Sequence, residues 1–357
     1  MEKKRLLIIG SYNENYDRNK IIFESLEDKF IVTNINVKSR NKFFGHLSFI
    51  RNLFSSGRKN QYIFFVFPSY EFAFVIWVFK LFFNRVIIYD AFISIYDTHV
   101  LSNKFVERGS FKAFCYYFLD YISCYVAQII IFDTKEHQYF FEKKFNIGQN
   151  KHKIVLPVAV DLELIDRLKP SIDRKFFRKD CFNVFFYGKY TALHGVEYIV
   201  KAASILKGHK NIKFILVGNG FFRNNVEKLS KDFALDNIVF LDKMGYASLI
   251  GYIKASDVCL GIFGKTDKAM RVIPNKILDY LVCGKLTITG KNNATESFFG
   301  DEIDIFYVSM ANELELADKI LYVYKNYEFL RNSQNSRKVI EKNFSKKRIK
   351  EIIEKEL

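Results

Sequence analysis

Residues 265–279 place several positive charges next to the predicted start of a helix. Four basic side chains lie in this short segment: Lys265, Lys268, Arg271 and Lys276. Pro274 precedes the helix, a favoured position for proline, and Asn275 stands at the helix start. Cations beside a helix N-terminus suit a pyrophosphate, because the free backbone N–H groups there also attract anions. Asp279 lies one turn further in, where a carboxylate can accept hydrogen bonds from the two hydroxyls of a ribose.

Two further turns follow predicted strands and favour close approach of a ligand to the backbone. The first runs from Gly188 and Lys189 to His194 and Gly195 and leads into a predicted helix. A glycine, a positive charge and free helix amides together can hold a phosphate. The second turn contains Gly218 in the run Gly-Asn-Gly. Both patterns also occur in ordinary turns, so a purely structural role stays open.

The first half of the chain offers fewer candidates. Asp90 lies at the carboxyl end of a predicted strand, and Asp97 and His99 follow on a loop. A carboxylate or imidazole there could orient or deprotonate a hydroxyl group of a substrate. The alternative is that these residues cap turns and helices. Four other histidines are predicted to be solvated at the surface: His46, His137, His152 and His209.

Thiol and metal chemistry are not indicated by the sequence. The five cysteines are scattered, without a C-x-x-C pair or a histidine at zinc spacing. No D-x-D motif and no Ser-His-Asp or Cys-His set is recognisable. We therefore expect no disulfide, no metal site and no cofactor, which fits a reducing compartment.

Twelve apolar runs are predicted to be the strands that position these residues. The first six are Leu6–Ile9, Ile31–Val37, Tyr62–Phe67, Val86–Tyr89, Gln128–Phe132 and Lys153–Leu156. The second six are Asn183–Tyr187, Lys213–Val217, Asn237–Leu241, Val258–Ile262, Leu286–Thr289 and Ile303–Val308. Several are apolar throughout, which is typical of parallel strands buried on both faces. Helical segments between them predict two doubly wound, Rossmann-like α/β domains.

The polar stretch from Asp161 to Asp180, which contains Pro170, is predicted to separate the two domains. We expect an N-terminal domain over residues 1–165 and a C-terminal domain over residues 166–335. The remaining tail, residues 336–357, is predicted to be helical and to return to the N-terminal domain.

Composition excludes some classes of protein. The chain has 357 residues, of which 49% are hydrophobic, so disorder is excluded as its main state. The net charge of +16 implies a polyanionic partner, such as nucleic acid, an anionic membrane or phosphorylated substrates. No apolar stretch of about 20 residues is free of charge, and the N-terminal apolar run is too short for a signal peptide. A cytoplasmic protein is expected, with contact to the inner face of the membrane left open.

One basic segment is a candidate for that contact. No acidic residue lies between Asp28 and Glu71, while seven basic ones do: Lys29, Lys38, Arg40, Lys42, Arg51, Arg58 and Lys59. Phenylalanine and leucine recur between them, which predicts a basic amphipathic helix over Asn41–Ser55. Such a helix either packs on the core with a solvated basic back or lies on anionic lipid headgroups.

The order and spacing of four motifs in residues 182–295 resemble group 1 (GT4-type) glycosyltransferases. These motifs are FYGK…LHGVEYIVKAA, LVGNG, ASDVCLGIFG and RVIPNKILDYLVCGKLTIT. The first half resembles, in outline only, members that build bacterial surface glycans. The resemblance implies a GT-B fold, with two Rossmann-like domains facing a central cleft. It also implies metal-independent, anomer-retaining transfer from a nucleotide sugar on the C-terminal domain to an acceptor on the N-terminal one.

The resemblance also implies roles for single residues in donor binding. Gly188 and Lys189 stand where the family has a Gly-Arg pair near the donor phosphates, and His194-Gly195 stand where it has Lys-Gly. Asn275 and Lys276 belong to a Pro-(Ser/Asn)-Lys signature. The same resemblance places Asp279 at the second glutamate of the family's E-x7-E motif. The first glutamate is replaced by Arg271, and Gly218 completes the predicted donor site.

Three functions are compatible with these sequence features. The favoured one is a glycosyltransferase acting on a glycan or lipid-linked acceptor, in the synthesis of surface polysaccharide. A GT-B nucleotide-sugar epimerase would share the donor pocket but have no acceptor site. A basic nucleic-acid-binding protein is suggested by charge alone, and no nucleic-acid motif supports it; we therefore expect no nucleic-acid partner.

Overall fold

The computed structural model describes residues 3–14, 16–39, 41–170, 172–177, 180–300, 304–331 and 336–357. The chain divides into two compact units. The first unit consists of Met1–Ala159 and Lys346–Leu357, and the second of Val160–Ser345.

The first unit is built on a parallel sheet of six strands in the order β2-β1-β3-β4-β5-β6. The strands are β1 (Arg5–Gly10), β2 (Ile31–Asn36), β3 (Tyr62–Phe65), β4 (Val86–Asp90), β5 (Ile129–Phe132) and β6 (His152–Val155). The helices of this unit are α1 (Asp17–Lys29), α2 (Lys42–Ser56), α3 (Ala73–Phe82), α4 (Phe111–Val126), α5 (Lys135–Phe145) and, near the end of the chain, α15 (Lys346–Glu356).

Alternate strand residues of the first sheet point to two separate cores. Leu7, Ile9 and Phe65 pack with residues of α2 to α5 on one face. Leu6 and Ile8 pack with residues of α1 and α15 on the other face. Because both faces are covered by helices, the strands are apolar at successive positions, as the sequence predicts.

The second unit is a parallel sheet in the order β12-β11-β10-β7-β8-β9. Its strands are β7 (Phe182–Tyr187), β8 (Ile212–Val217), β9 (Ile238–Leu241), β10 (Val258–Leu260), β11 (Leu286–Gly290) and β12 (Ile305–Val308). Its helices are α6 (Leu162–Arg167), α7 (Val196–Ile205), α8 (Arg223–Asp232), α9 (Tyr246–Ala255), α10 (Asn275–Val282), α11 (Asn293–Phe299), α12 (Glu313–Lys325), α13 (Tyr327–Leu330) and α14 (Ser336–Phe344). This strand order is that of a Rossmann fold, in which the direction of winding reverses between β7 and β10.

All twelve predicted strands have a counterpart, and the predicted class of two Rossmann-like α/β units is confirmed. Ile303, the first residue of the last predicted strand, lies outside the described residues. The predicted amphipathic helix corresponds to α2, and Asn41 caps it by accepting a hydrogen bond from the Phe43 N–H at 2.9 Å. No helix in the described ranges is both long enough and apolar enough to cross a bilayer.

The unit boundaries lie at 159/160 and 345/346 rather than at the predicted 165/166 and 335/336. The tail divides because its two helices have different partners. In α14, the Ser336 hydroxyl donates to the Leu281 carbonyl, and α14 stays with the second unit. In α15, Ile349 and Ile353 join the core beside α1 in the first unit.

Candidate functional site

The predicted donor residues converge on the winding reversal of the second sheet. The loop after β7 and the loop after β10 meet there, since the Phe263 N–H donates to the His194 carbonyl and the Gly264 N–H to the Leu193 carbonyl. A doubly wound sheet binds ligands outside this point, at the carboxyl ends of its strands. The fold therefore creates the site, and the loops of residues 188–195, 218–222 and 261–274 surround it.

Lys276 is the most unusual group of this site. The residue is 4% exposed, and its Nζ has no hydrogen-bond partner among the described residues. The Nζ lies 3.9 Å from the ring centroid of Phe186, so a cation–π contact is its compensation. Burial lowers the pKa of Lys276 well below its usual value. A desolvated ammonium of this kind is suited to an anionic ligand.

The glycine at the end of β7 makes room for this ammonium. A Cβ built on Gly188 would lie 2.7 Å from the Lys276 Nζ. A Cβ on Gly218 would lie 2.0 Å from the Gly188 carbonyl oxygen, so the turns after β7 and β8 touch. The structure thus brings three predicted donor residues together, although they are far apart in sequence.

Position 195 requires glycine for two reasons. Its φ of +59° is a left-handed conformation that other residues adopt at a cost. A Cβ there would also lie 2.5 Å from the Gly264 backbone nitrogen. This close crossing holds the loop after β7 against the loop after β10.

Asp279 is held by two tyrosines. Its Oδ2 accepts a short hydrogen bond from the Tyr187 hydroxyl, and its Oδ1 accepts one from the Tyr246 hydroxyl at 2.8 Å. The carboxylate is 6% exposed, one turn into α10. The tyrosines fix its orientation, and burial, together with the charge of Asp279, raises the pKa of Tyr187 well above its usual value.

His194 is folded back onto its own loop. Its Nδ1 bonds the Lys189 carbonyl oxygen, so Nδ1 carries the proton, and the Thr191 hydroxyl lies 3.2 Å from the same nitrogen. Burial and the charge of Lys276 lower the pKa of His194 well below its usual value. The imidazole is therefore neutral, in contrast to the lysine of the Lys-Gly pair that the resemblance implies.

The remaining predicted donor residues lie at the rim. Lys189 and Asn275 are exposed, and Arg271 is half-buried on the loop before α10. Asn275 is the first residue of α10, as the position of Pro274 predicts.

Three functional candidates were missed by the sequence predictions: Tyr187, Tyr246 and Arg223. The Arg223 guanidinium donates to the carbonyls of Gly218 and, at 2.9 Å, of Leu241. It thereby joins the ends of β8 and β9 behind the site. One signal could have indicated this role, because an arginine at the first position of α8 opposes the helix dipole and implies another partner.

In the first unit, the predicted catalytic residues are involved in internal contacts. Asp90 is 1% exposed and forms a bidentate ion pair with Arg18, with distances of 2.8 and 3.1 Å. Asp97 is 0% exposed in a π-helical turn, Asp97–Ser102, that also contains His99. The His99 ring is half-buried and its centroid lies 5.4 Å from that of Tyr116.

The prediction that His137 is solvated was wrong. His137 is 1% exposed, and its Nδ1 lies 2.6 Å from Asp133 Oδ1. The pair forms because α5 starts directly after β5, which places His137 four residues from the strand-end carboxylate and against Phe141. His152 and His209 are exposed, as predicted, whereas His46 is half-buried.

Within the ranges that the structure describes, no group of three or more His, Cys, Asp or Glu side chains is arranged to hold a metal ion. All five cysteines are free.

Comparison with known proteins identifies the second unit. Residues 181–326 match the family model of group 1 glycosyl transferases. Over these residues the second unit is similar to group 1 glycosyl transferases. The resemblance of the sequence motifs to group 1 glycosyltransferases is thereby confirmed.

A curated relative is also named as a glycosyltransferase. An uncharacterized glycosyltransferase of Methanocaldococcus jannaschii is 29% identical over 119 residues, which cover 32% of this chain and 29% of that protein. The match therefore spans less than a third of that relative.

Solved structures of glycosyltransferases share the fold over nearly the whole chain. HepE from Anabaena, in complex with UDP and glucose, is 14% identical with a TM-score of 0.71, covering 99% of this chain and 98% of that one. Sucrose-phosphate synthase from Thermosynechococcus elongatus is 13% identical with a TM-score of 0.75, at the same coverage. At these identities the likeness establishes the fold, which is the predicted GT-B class.

Proposed function

We propose that this chain is an enzyme that transfers a sugar from a nucleoside diphosphate sugar to a glycan or lipid-linked acceptor. The observation that carries the proposal is the Lys276 ammonium, which is buried beside the Gly188 turn without a hydrogen-bond partner among the described residues. A buried cation without a counter-ion destabilises a fold. Its presence at the carboxyl ends of the strands, where such sheets bind ligands, therefore indicates a ligand that supplies the negative charge. A diphosphate is such a ligand.

The same ammonium suits the chemical step. Transfer breaks the bond between the sugar and the diphosphate, and negative charge develops on the leaving diphosphate. Lys276 lies in the first turn of α10, and we propose that its ammonium, together with the positive end of the helix dipole, stabilises that charge without reorganisation. We propose that the protein thereby replaces the divalent ion that other transferases use, and that the reaction requires no metal.

The remaining donor contacts follow from the loops around Lys276. The Gly188 and Gly218 turns admit the diphosphate to the backbone, and Lys189 and Asn275 meet its solvent side. Asp279, held by Tyr187 and Tyr246, is proposed to accept hydrogen bonds from the ribose hydroxyls through its remaining lone pairs. Arg271 is proposed to lie toward the donor sugar, and the neutral His194 to present Nε2 as an acceptor.

The structural neighbours favour a UDP-sugar and a retaining reaction. HepE has been crystallised with UDP-glucose, and the work on trehalose-6-phosphate synthase, which has a TM-score of 0.70 and 10% identity, concerns glycosyl transfer with retention. We extend both properties to this chain as part of the proposal.

We further propose that the first unit binds the acceptor and that the enzyme works in surface polysaccharide synthesis at the cytoplasmic face of the membrane. The net charge of +16 and the basic segment around α2 support attraction to anionic lipid. A direct role for Asp90, Asp97 or His99 toward the acceptor hydroxyl stays a prediction.

A nucleotide-binding panel tests the donor site. Titration with UDP, GDP, ADP, dTDP and CMP in the presence of EDTA is expected to give tight binding of one nucleoside diphosphate, UDP. Lys276→Met should weaken that binding about 10- to 150-fold, since a charge-assisted hydrogen bond contributes about 1.5–3 kcal/mol. Sugar transfer to an added acceptor should continue in EDTA.

Lys254→Met is the matched control, because Lys254 is exposed on α9. Its affinity for UDP should equal that of the parent. Unchanged binding in Lys276→Met would refute the donor site, activity restored only by Mg²⁺ would refute metal independence, and equal release of nucleotide with and without acceptor would refute transfer.

A further inference from the structure

Three helices on one face of the first unit expose apolar side chains outward. The helices α2, α3 and α4 belong to the same core through their inward residues, such as Phe49, Ile76 and Ile122. Their outward residues are exposed by 40–81%: Phe43, Phe44, Leu47, Ile50, Phe74, Leu81, Phe82, Phe111, Phe114, Phe118 and Tyr125. In α4 the exposed residues are spaced by three, four and seven positions, so they form one stripe along the helix. We call this surface the α2–α4 face.

The α2–α4 face has basic groups and no exposed carboxylate on its helices. The single acidic residue within α2, α3 and α4 is Asp120, which is 0% exposed. Arg51 and Lys112 are exposed on α2 and α4, and Lys80 is half-buried on α3. Exposed apolar side chains that group on one surface indicate a partner, and the basic groups of this surface indicate an anionic one.

A cavity of about 600 Å³ opens beside the α2–α4 face, at the end of the sheet opposite Asp90. Among the described residues that line it, none carries a carboxylate, and two are lysines, Lys80 and Lys151. Trp77, Leu81 and Tyr125 form part of its apolar wall, and two of these, Leu81 and Tyr125, also belong to the α2–α4 face.

Both lysines are directed at the end of α4. The Lys80 Nζ donates to the Val126 carbonyl at 2.6 Å, and the Lys151 Nζ donates to the carbonyls of Tyr125 and Ala127 at 2.7 and 2.6 Å. Each ammonium has three N–H groups, so N–H groups remain for a further acceptor. Burial lowers the pKa of both lysines, and the charge of Lys151 also lowers that of Lys80. An anion in the cavity would relieve this repulsion.

We propose that the α2–α4 face docks on an anionic membrane and that the cavity with Lys80 and Lys151 binds the phosphate headgroup of an anionic phospholipid. This deepens the proposed function, on which it rests for the need to reach a lipid-linked acceptor. The apolar side chains insert among the acyl chains at the interface, while the two lysines fix a headgroup beside them.

The positive charge of the α2–α4 face argues against a second copy of this chain as its partner. In a symmetric dimer, the same surface of a second copy would face the α2–α4 face. That arrangement would bring basic helices together with no exposed carboxylate on the three helices to compensate them, whereas an anionic bilayer supplies the missing charge.

Vesicle sedimentation of the full chain tests the proposal. Binding is expected to vesicles of phosphatidylcholine with phosphatidylglycerol, to be weak with phosphatidylcholine alone, and to be reversed by high salt. The double variant Lys80→Gln/Lys151→Gln should bind about 30-fold more weakly, since each near-surface lysine contributes about fivefold. The charge control is Lys228→Gln/Lys254→Gln, two exposed lysines of the second unit, which should bind like the parent.

A second pair of variants keeps the test valid if the lysine variant unfolds. Phe114→Ser/Phe118→Ser changes exposed side chains and should also lose vesicle binding, while Phe329→Ser, 81% exposed in the second unit, should not. Binding of UDP checks the donor unit in each variant and separates the two proposals, because loss of UDP binding alone leaves membrane docking standing. Equal binding to neutral and anionic vesicles, binding to neither, or a dimer abolished by Phe114→Ser/Phe118→Ser would overturn the docking proposal.

Discussion

Near the strand ends of the first unit two buried side chains are each bonded to a carboxylate, whereas in the second unit the buried Lys276 ammonium has no hydrogen-bond partner among the described residues. Arg18 forms an ion pair with Asp90, and the His137 ring is hydrogen-bonded to Asp133. The two sheets are both parallel, doubly wound and covered by helices, so the fold does not explain this difference.

The contrast distinguishes buried charges that stabilise the fold through a partner from a buried charge that has no partner and is available to a ligand. A bidentate pair such as Arg18–Asp90 leaves little capacity for substrate, but it fixes α1 against β4. An unpaired cation such as Lys276 destabilises the empty protein and is retained where a ligand completes it. The comparison therefore supports the proposal that the anionic donor binds to the second unit, and it does so without reference to any relative.

The largest expected effect is on stability, from breaking the pair in the first unit. Asp90→Asn leaves the Arg18 charge buried without its counter-ion and should lower the free energy of unfolding by about 3–5 kcal/mol. Trp77 is the single tryptophan of the chain, so its fluorescence during urea unfolding reports on this unit.

Asp236→Asn is the control for that experiment, because Asp236 forms an exposed ion pair with Lys210 and its loss should leave the transition unchanged. The double variant Arg18→Met/Asp90→Leu should recover stability relative to Asp90→Asn, since it removes both charges. If Asp90→Asn abolished sugar transfer while unfolding like the parent, Asp90 would act on the acceptor and the comparison would fail.

The second prediction is that removing a buried charge from the second unit raises stability instead of lowering it. Lys276→Met removes a buried charge while keeping an apolar side chain of similar length, and it should raise the thermal midpoint of the empty protein by about 2–4 °C for each kcal/mol gained. Because burial lowers the folded-state pKa of Lys276 below that of the unfolded chain, the unfolded state binds more protons between the two values. The parent should therefore gain stability as the pH rises through that window.

Lys276→Met should lack this gain, and differential scanning calorimetry at several pH values measures both effects. The exposed Lys254→Met provides the comparison for a lysine that is already solvated. A thermal midpoint of Lys276→Met below that of the parent would mean that the ammonium stabilises the empty fold, which would contradict its proposed role in ligand binding.

The sequence predicts the parts of this contrast that depend on local pattern. Apolar runs identify the strands, and Gly188, Gly218 and Lys276 are found because turns after strands and helix starts have recognisable residue types. The partners of these residues are set by tertiary structure. Tyr187 lies 92 residues from Asp279, and Arg18 lies 72 from Asp90, so no local pattern connects either pair.

The same limit applies to Asp90 and His137 in the first unit. Asp90 has the position expected of a catalytic carboxylate, and only its contact with α1 indicates that the charge is already paired. His137 was predicted to be solvated because its helix is rich in charged residues, although Phe141 and the strand end bury it.

The smallest expected effect comes from Asp120, a buried carboxylate for which the described residues provide hydrogen bonds but no ion pair. It accepts hydrogen bonds from the Ser94 hydroxyl and the Tyr96 N–H, at 2.5 and 2.9 Å, and so holds the loop that leads to Asp97. Burial, together with the nearby charge of Asp97, raises the pKa of Asp120 to about 7. The folded state then binds more protons than the unfolded chain, whose carboxyl titrates near pH 4, and stability is lost as the pH rises through the folded pKa.

Lowering the pH from 8 to 6 should therefore stabilise the first unit by about 1.4 kcal/mol, measured by Trp77 fluorescence in urea, and Asp120→Asn should remove that dependence. An identical pH dependence in the variant would show that Asp120 stays ionised, in which case the first unit too would hold a buried charge compensated by hydrogen bonds alone.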